Sequence, residues 1–98
     1  MDKDRIISTL LANRAELERQ GVLHAALFGS MARGDATAES DIDIMIDMNP
    51  NFRFTVYDYV GLKDYLSSLF PISVDVVDRD ALKLPIKPTV LAEAVHAF

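Results

Sequence analysis

The chain has no cysteine. That excludes a disulfide framework, a thiolate metal site and a thiol nucleophile, and it suits a reducing compartment such as the cytoplasm. No internal repeat, low-complexity tract or long linker interrupts the 98 residues, so residues 1–98 read as a single domain. No apolar run approaches the roughly 20 residues needed to span a bilayer. The start, Met1-Asp2-Lys3-Asp4-Arg5, is mixed in charge and lacks the basic-then-apolar layout of a signal peptide. Positive charge is in deficit: ten Lys plus Arg face fifteen Asp plus Glu, a formal charge of −5. That deficit argues against a DNA- or RNA-coating surface. It is compatible with a basic protein partner, or with carboxylates that hold metal ions.

Half the residues are hydrophobic, too many for a disordered chain. A domain of this size buries roughly 60–68% of the surface its unfolded chain would expose, which is enough for one compact core. Asp4 to Gln20 reads as a first helix, with Ile6, Ile7, Leu10, Leu11 and Leu17 near helical spacing and Gly21 placed to end it. Val22 to Phe28 is an apolar run suited to a buried strand. Gly29 to Glu39 is small, polar and turn-rich, with room for a short helix. Asp41 to Met48 alternates with period two, Ile42, Ile44, Ile46 and Met48 on one side and Asp41, Asp43, Met45 and Asp47 on the other.

After a loop from Asn49, Thr55 with Asp58 resembles a capping box. Val56, Tyr59, Val60, Leu66, Leu69 and Phe70 give the following helix an apolar side, and Pro71 stops it. Ile72 to Val77 is a second alternating strand that carries Asp75. Pro88 fits the first turn of a closing helix, with Leu91, Ala94, Val95 and Phe98 as its apolar stripe. The predicted order is αβ(α)βαβα, a two-layer α/β architecture with one small mixed sheet flanked by helices.

The informative stretch runs from Gly29-Ser30-Met31-Ala32-Arg33-Gly34 to Ser40-Asp41-Ile42-Asp43. Asp41 and Asp43, two apart on a strand, leave the same face roughly 7 Å from each other. Carboxylates that close repel, and need a cation, a proton or an arginine between them. A hard divalent ion such as Mg²⁺ accepts carboxylate oxygens and keeps room for phosphate oxygens. Asp75, on a neighbouring strand, would make a third. Three carboxylates can hold two metal ions, an arrangement suited to phosphoryl or nucleotidyl transfer. Gly29-Ser30 follows a buried strand, where a glycine lets backbone approach a ligand and helix-start N–H groups suit phosphate. Arg33 could add a guanidinium to the phosphates. The stretch is not a Walker A loop, since the lysine and the spacing are missing.

Gly-Ser, Ala-Arg-Gly, Ser-Asp-Ile-Asp and a later isolated Asp on a strand together resemble the DNA polymerase β-type nucleotidyltransferase superfamily, most of all its minimal nucleotidyltransferase branch. The resemblance runs from the first helix to Glu93-Ala94-Val95. It implies the nucleotidyltransferase fold, with Gly29 and Ser30 gripping nucleotide phosphates. Asp41 and Asp43 become metal-ligating carboxylates, and Asp75 the third, beside the catalytic metal and the attacking hydroxyl. Arg33 and Ser40 fall on family motif positions. The cofactors it implies are two Mg²⁺ ions, with ATP as nucleotide donor. Many proteins of this branch resemble antitoxins paired with HEPN-domain ribonuclease toxins, and some inactivate the toxin by adding AMP to a tyrosine. The expected activity is therefore transfer of a nucleoside monophosphate to a hydroxyl, with a HEPN-type toxin as acceptor and hetero-oligomeric partner. Two other readings stand beside it. One is a non-catalytic antitoxin that neutralises the toxin by occlusion; the other is a small-molecule enzyme of the aminoglycoside-modifying kind.

Plainer roles fit the remaining polar residues. Asp47 reads as structural or solvated, Asp78 and Asp80 as turn and cap residues, and Asp35 and Glu39 as loop charges. Arg33 fits a local carboxylate as well as it fits phosphate. His24 reads as a packed histidine and His96 as an exposed one, so a histidine metal site has little support. Tyr57, Tyr59 and Tyr65 read as core or interface packing residues of one helix. Phe52, Arg53 and Phe54 form either a packed flap or a partner contact. The 98 residues are nearly used up by a nucleotide-and-metal platform, so the acceptor is expected to come largely from outside the chain.

Overall fold

A computed structural model describes residues 2–83 and 85–98. Met1, part of the mixed-charge start, lies outside the described residues. The chain runs α1 (Lys3–Ala12), α2 (Arg14–Arg19), β1 (Val22–Phe28), α3 (Gly29–Arg33), β2 (Ile42–Met48), α4 (Val56–Ser68), β3 (Val74–Asp78), a 3₁₀ turn (Arg79–Ala81), α5 (Lys87–Glu93) and β4 (Val95–His96). The strands form one mixed sheet in the order β3-β2-β1-β4. β1 is antiparallel to β2 and to β4, whereas β2 and β3 are parallel. The α/β class and the mixed sheet are as predicted.

Register assigns each strand residue to a face. Leu27 pairs with Ile44 and Ala25 with Ile46, and Ile42 and Ile44 pair with Val74 and Val76. These residues share one face and join Ile6, Leu10, Leu17, Leu62, Leu66 and Phe70 in the core. Helices α1, α2 and α4 therefore cover that face. The opposite face carries Phe28, Asp43 and Asp75 in one row and Ala26, Met45 and Val77 in the next.

Four expectations need correction. The first helix, read as continuous from Asp4 to Gln20, breaks at Asn13, whose backbone leaves helical geometry. The Asn13 side chain donates to the Thr9 carbonyl at 2.8 Å and accepts from the Tyr65 hydroxyl at 2.8 Å. An amide that bonds the chain locally competes with the helix ladder, and here it also ties the break to α4. In α4 itself, Val56 and Val60 are 77% and 51% exposed, and the buried residues are Leu62 and Leu66. Apolar and polar residues are interleaved round the helix, so spacing found Leu66, and Phe70 just beyond the helix, but took Val56 and Val60 where Leu62 is the inner residue. The helix also ends at Ser68, before Pro71. The third difference lies at the carboxylates, since β2 begins at Ile42 and Asp41 stands just outside it.

The fourth is the C-terminal helix, which stops at Glu93 because Ala94 turns extended. Val95 and His96 then pair with Leu27 and Ala26 as β4. Phe98, expected on the helix stripe, packs against the core, with the Arg14 guanidinium 5.0 Å from its ring centre. The predicted capping box is present: the Asp58 carboxylate accepts from the Thr55 N–H at 2.9 Å and the Thr55 hydroxyl from the Asp58 N–H at 3.2 Å. Phe52 and Phe54 form a packed flap, their ring centres 6.3 Å apart, with Phe54 edge-on to Tyr59. Among the described residues no helix is long and apolar enough to cross a membrane.

Candidate functional site

The uncovered face of the sheet holds the carboxylates. Asp43 on β2 lies directly beside Asp75 on β3, and like charges side by side in a sheet destabilise it. Burial, then Asp75, then Asp41 hold the Asp43 carboxyl above the ordinary aspartate range, while Arg33 pulls it down. Asp43 is half-buried, whereas Asp41 and Asp75 are exposed at the rim. The three predicted carboxylates are thus electrostatic neighbours.

On the other side of Asp43, the chain leaves β1 through Phe28, its register partner, and turns at Gly29. Gly29 has a φ of +72°, a left-handed conformation that favours glycine. A Cβ there would meet the Asp43 carboxylate, with Cγ 3.1 Å away. The glycine is required twice, for its backbone and for the space it leaves to Asp43. Ser30 follows on the first turn of α3, and Gly34 closes that helix at φ +82°.

Arg33, on the last turn of α3, is bonded to Asp35 at 3.1 Å and to Glu93 at 3.1 Å. Both acids raise its pKa, Asp35 more than Glu93. Local pairing thus describes Arg33 in this structure. Glu93 had no role in the sequence reading, because it lies 60 residues away and only the position of α5 brings it near. Ser40 sits in the turn before Asp41, its hydroxyl accepting from the Thr37 N–H at 2.8 Å. Asp47 pairs with Arg79 at 3.7 Å, and Asp78 caps the 3₁₀ turn through the Asp80 N–H at 2.9 Å. His24 is exposed on the outer face, not packed.

The donor set fits a hard divalent ion. It offers only carboxylate oxygens, the chemistry Mg²⁺ selects, and the partly desolvated Asp43 lacks a full counter-charge. Among the described residues, no three Asp, Glu, His or Cys side chains stand gathered as a group that could hold an ion. The carboxylates are repelling neighbours, not a closed cage.

Residues 8–96 match the family model for the nucleotidyltransferase domain. The chain belongs to that family. This nucleotidyltransferase is 38% identical over 96 residues to the protein adenylyltransferase MntA of Thermococcus cleftensis, covering 95% of this chain and 93% of that one. A solved minimal nucleotidyltransferase superposes with a TM-score of 0.79 at 30% identity, over 97% of this chain and 95% of the other. Two solved toxin–antitoxin structures share the fold. One, with AMP-PNP, gives a TM-score of 0.68 at 22% identity over 90% of this chain and 72% of that one. The other, an MntA–HpeT mutant, gives 0.65 at 19% identity over 100% and 73%.

Proposed function

We propose that this nucleotidyltransferase moves AMP from ATP to a hydroxyl on a partner toxin of the HEPN type, as the antitoxin of a toxin–antitoxin pair. The observation that carries the reading is the repelling Asp43–Asp75 pair on the open face, with Gly29 pressed against it. The name of the Thermococcus relative, protein adenylyltransferase, supports AMP as the group moved and a protein as acceptor. The AMP-PNP toxin–antitoxin complex supports a nucleotide donor and a toxin partner.

In this reading the Gly29–Ser30 turn would face the triphosphate, and Asp41, Asp43 and Asp75 would hold two Mg²⁺ ions. Bound Mg²⁺ supplies charge neutralisation on the phosphates and lowers the pKa of the attacking hydroxyl. The acceptor oxygen forms a bond to the α-phosphorus, the bond to the β-phosphate oxygen breaks, and pyrophosphate leaves. Asp75, at the exposed edge of the carboxylate row, would receive the hydroxyl proton. Asp43, fixed between β1 and β3, holds its position without reorganisation, which is how a small rigid sheet contributes to such a reaction. Arg33 would turn from Glu93 toward phosphate, and Ser40 would hold the turn that presents Asp41.

The experiment uses the chain with α-labelled ATP and Mg²⁺, alone and with the toxin encoded beside it. Label should appear on the toxin with wild type, and disappear with Asp43→Asn or with chelator. Full neutralisation of the toxin by Asp43→Asn, with no label under any condition, would replace transfer by occlusion.

A further inference from the structure

Next to the carboxylate row, the open face of the sheet contains a small cavity of about 40 Å³, bounded by His24, Ala26, Met45, Asp47, Arg79 and His96. Its floor has an unusual composition for an outer face. Ala26 is 2% exposed and Met45 4% exposed, yet both lie outside the core cluster. They line the cavity together with the polar side chains at its rim. His24 stands opposite Asp47 across the β1–β2 pair, His96 stands opposite Ala26 across the β1–β4 pair, and Arg79 reaches Asp47 at 3.7 Å. The cavity therefore has an apolar bottom, two imidazole walls and an ion pair at one end. A volume of this size admits a few heavy atoms, one side chain and not a nucleotide.

Its place in the register gives it a role. The row His96–Ala26–Met45–Val77 lies two residues along the strands from the row Phe28–Asp43–Asp75, on the same face. Two strand residues span roughly 7 Å. An extended peptide repeats its own side chains on one face with that same spacing of roughly 7 Å. An acceptor segment laid along β2, with its reacting hydroxyl over Asp43 and Asp75, thus sets the side chain two residues away over the Ala26–Met45 edge of the cavity, with the His24–Asp47 row beyond it.

The geometry points to this cavity as an acceptor subsite that takes an apolar or aromatic side chain two residues from the modified hydroxyl. The inference rests on the reading that the acceptor is a protein. The occupant is a partner segment in extended form. The floor of Ala26 and Met45 favours carbon over charge, because a charged side chain there would lose water without gaining a full partner. Imidazole rings at the walls offer flat surfaces for stacking.

The test measures label transfer from α-labelled ATP to the toxin encoded beside the chain, with nucleotide affinity determined separately by titration with AMP-PNP. Ala26→Leu fills the floor, and His96→Trp covers the cavity from an exposed position where folding tolerates the change. Each should raise KM for the acceptor about ten-fold or more, the scale of one lost apolar contact, with AMP-PNP affinity held. His96→Phe, which keeps a flat ring, should stay within about three-fold of wild type. In the toxin, replacing the residue two positions from the labelled hydroxyl by Asp should reproduce the KM rise. Unchanged acceptor KM in both filled variants, with wild-type transfer intact, overturns the subsite and leaves the proposed function standing. No label from wild type on any protein overturns both.

Discussion

The two faces of the sheet are built from the same strands to opposite specifications. The covered face is apolar at its centre: Leu27, Ile42, Ile44 and Ile46 are at most 1% exposed under α1, α2 and α4, and Asp78 lies on that face only at the end of β3. The open face places Asp43 against Asp75 and sets Ala26 and Met45 in the wall of a small cavity with a polar rim. Alternation along a strand lets one segment, Ile42–Met48, supply both. Stability is concentrated on one side, so the other can carry charge repulsion that folding alone would not select. The repulsion is tolerable because the core behind it is complete.

Substitutions on either face should separate the two roles. The largest effect is expected from Leu66→Ala, whose side chain is fully buried. It should cost about 2–5 kcal/mol and be read as a fall in the melting midpoint with thermal or urea unfolding. The fraction that stays folded should still transfer label. Gly29→Ala crosses the boundary between the roles. The left-handed φ alone costs roughly 1–2 kcal/mol, and the added methyl pushes Asp43 aside, so transfer should fall by about 100-fold in a folded protein, the scale of one misplaced reacting group.

Asp43→Asn should do the reverse to stability. The folded pKa of Asp43 is raised above the ordinary 3.8 by burial and by Asp75 and Asp41. A raised carboxyl contributes stability below its unfolded value and loses it as pH rises through the folded value. Without Mg²⁺, Asp43→Asn should therefore melt above wild type at neutral pH, by roughly 2–5 °C. The gap should close as pH is lowered toward 3.8, and added Mg²⁺ should stabilise only the wild type. A variant that melts below wild type at neutral pH would show that Asp43 is held by something other than repelling neighbours. The smallest effect belongs to Glu93→Gln. Its pair with Arg33 is partly exposed, so stability should change by less than about 1 kcal/mol, measured by thermal unfolding.

Much of this was legible in the sequence. Alternation located both acidic strands, and Gly29-Ser30 with Ser40-Asp41-Ile42-Asp43 marked the candidate site because close backbone approach and paired carboxylates need those residue types. The pairing of Asp43 with Asp75 followed from two period-two strands becoming neighbours. Other features were set by tertiary contact. The break at Asn13 depends on Tyr65, 52 residues away. On α4 spacing found Leu66 but not Leu62, because apolar and polar residues are interleaved round the helix and packing chose between them. β4 is two residues long and exists through its partners Ala26 and Leu27; by spacing alone, Leu91 to Phe98 reads as one helical stripe. Glu93 and the cavity at His24 and His96 join elements distant in the chain, with no local motif.

The division of labour between the faces is tested most directly on β3, where Asp75 and Asp78 lie on one strand but face opposite ways. Transfer of label from α-labelled ATP to the partner toxin should be compared for Asp75→Asn and Asp78→Asn, at matched folded fraction. Loss of a carboxylate at the reacting phosphate removes several kcal/mol of charge stabilisation. Asp75→Asn should therefore lose about 100-fold or more, whereas Asp78→Asn stays within about three-fold. Equal rates in the two variants, or full transfer by Asp75→Asn, would contradict the assignment of chemistry to the open face.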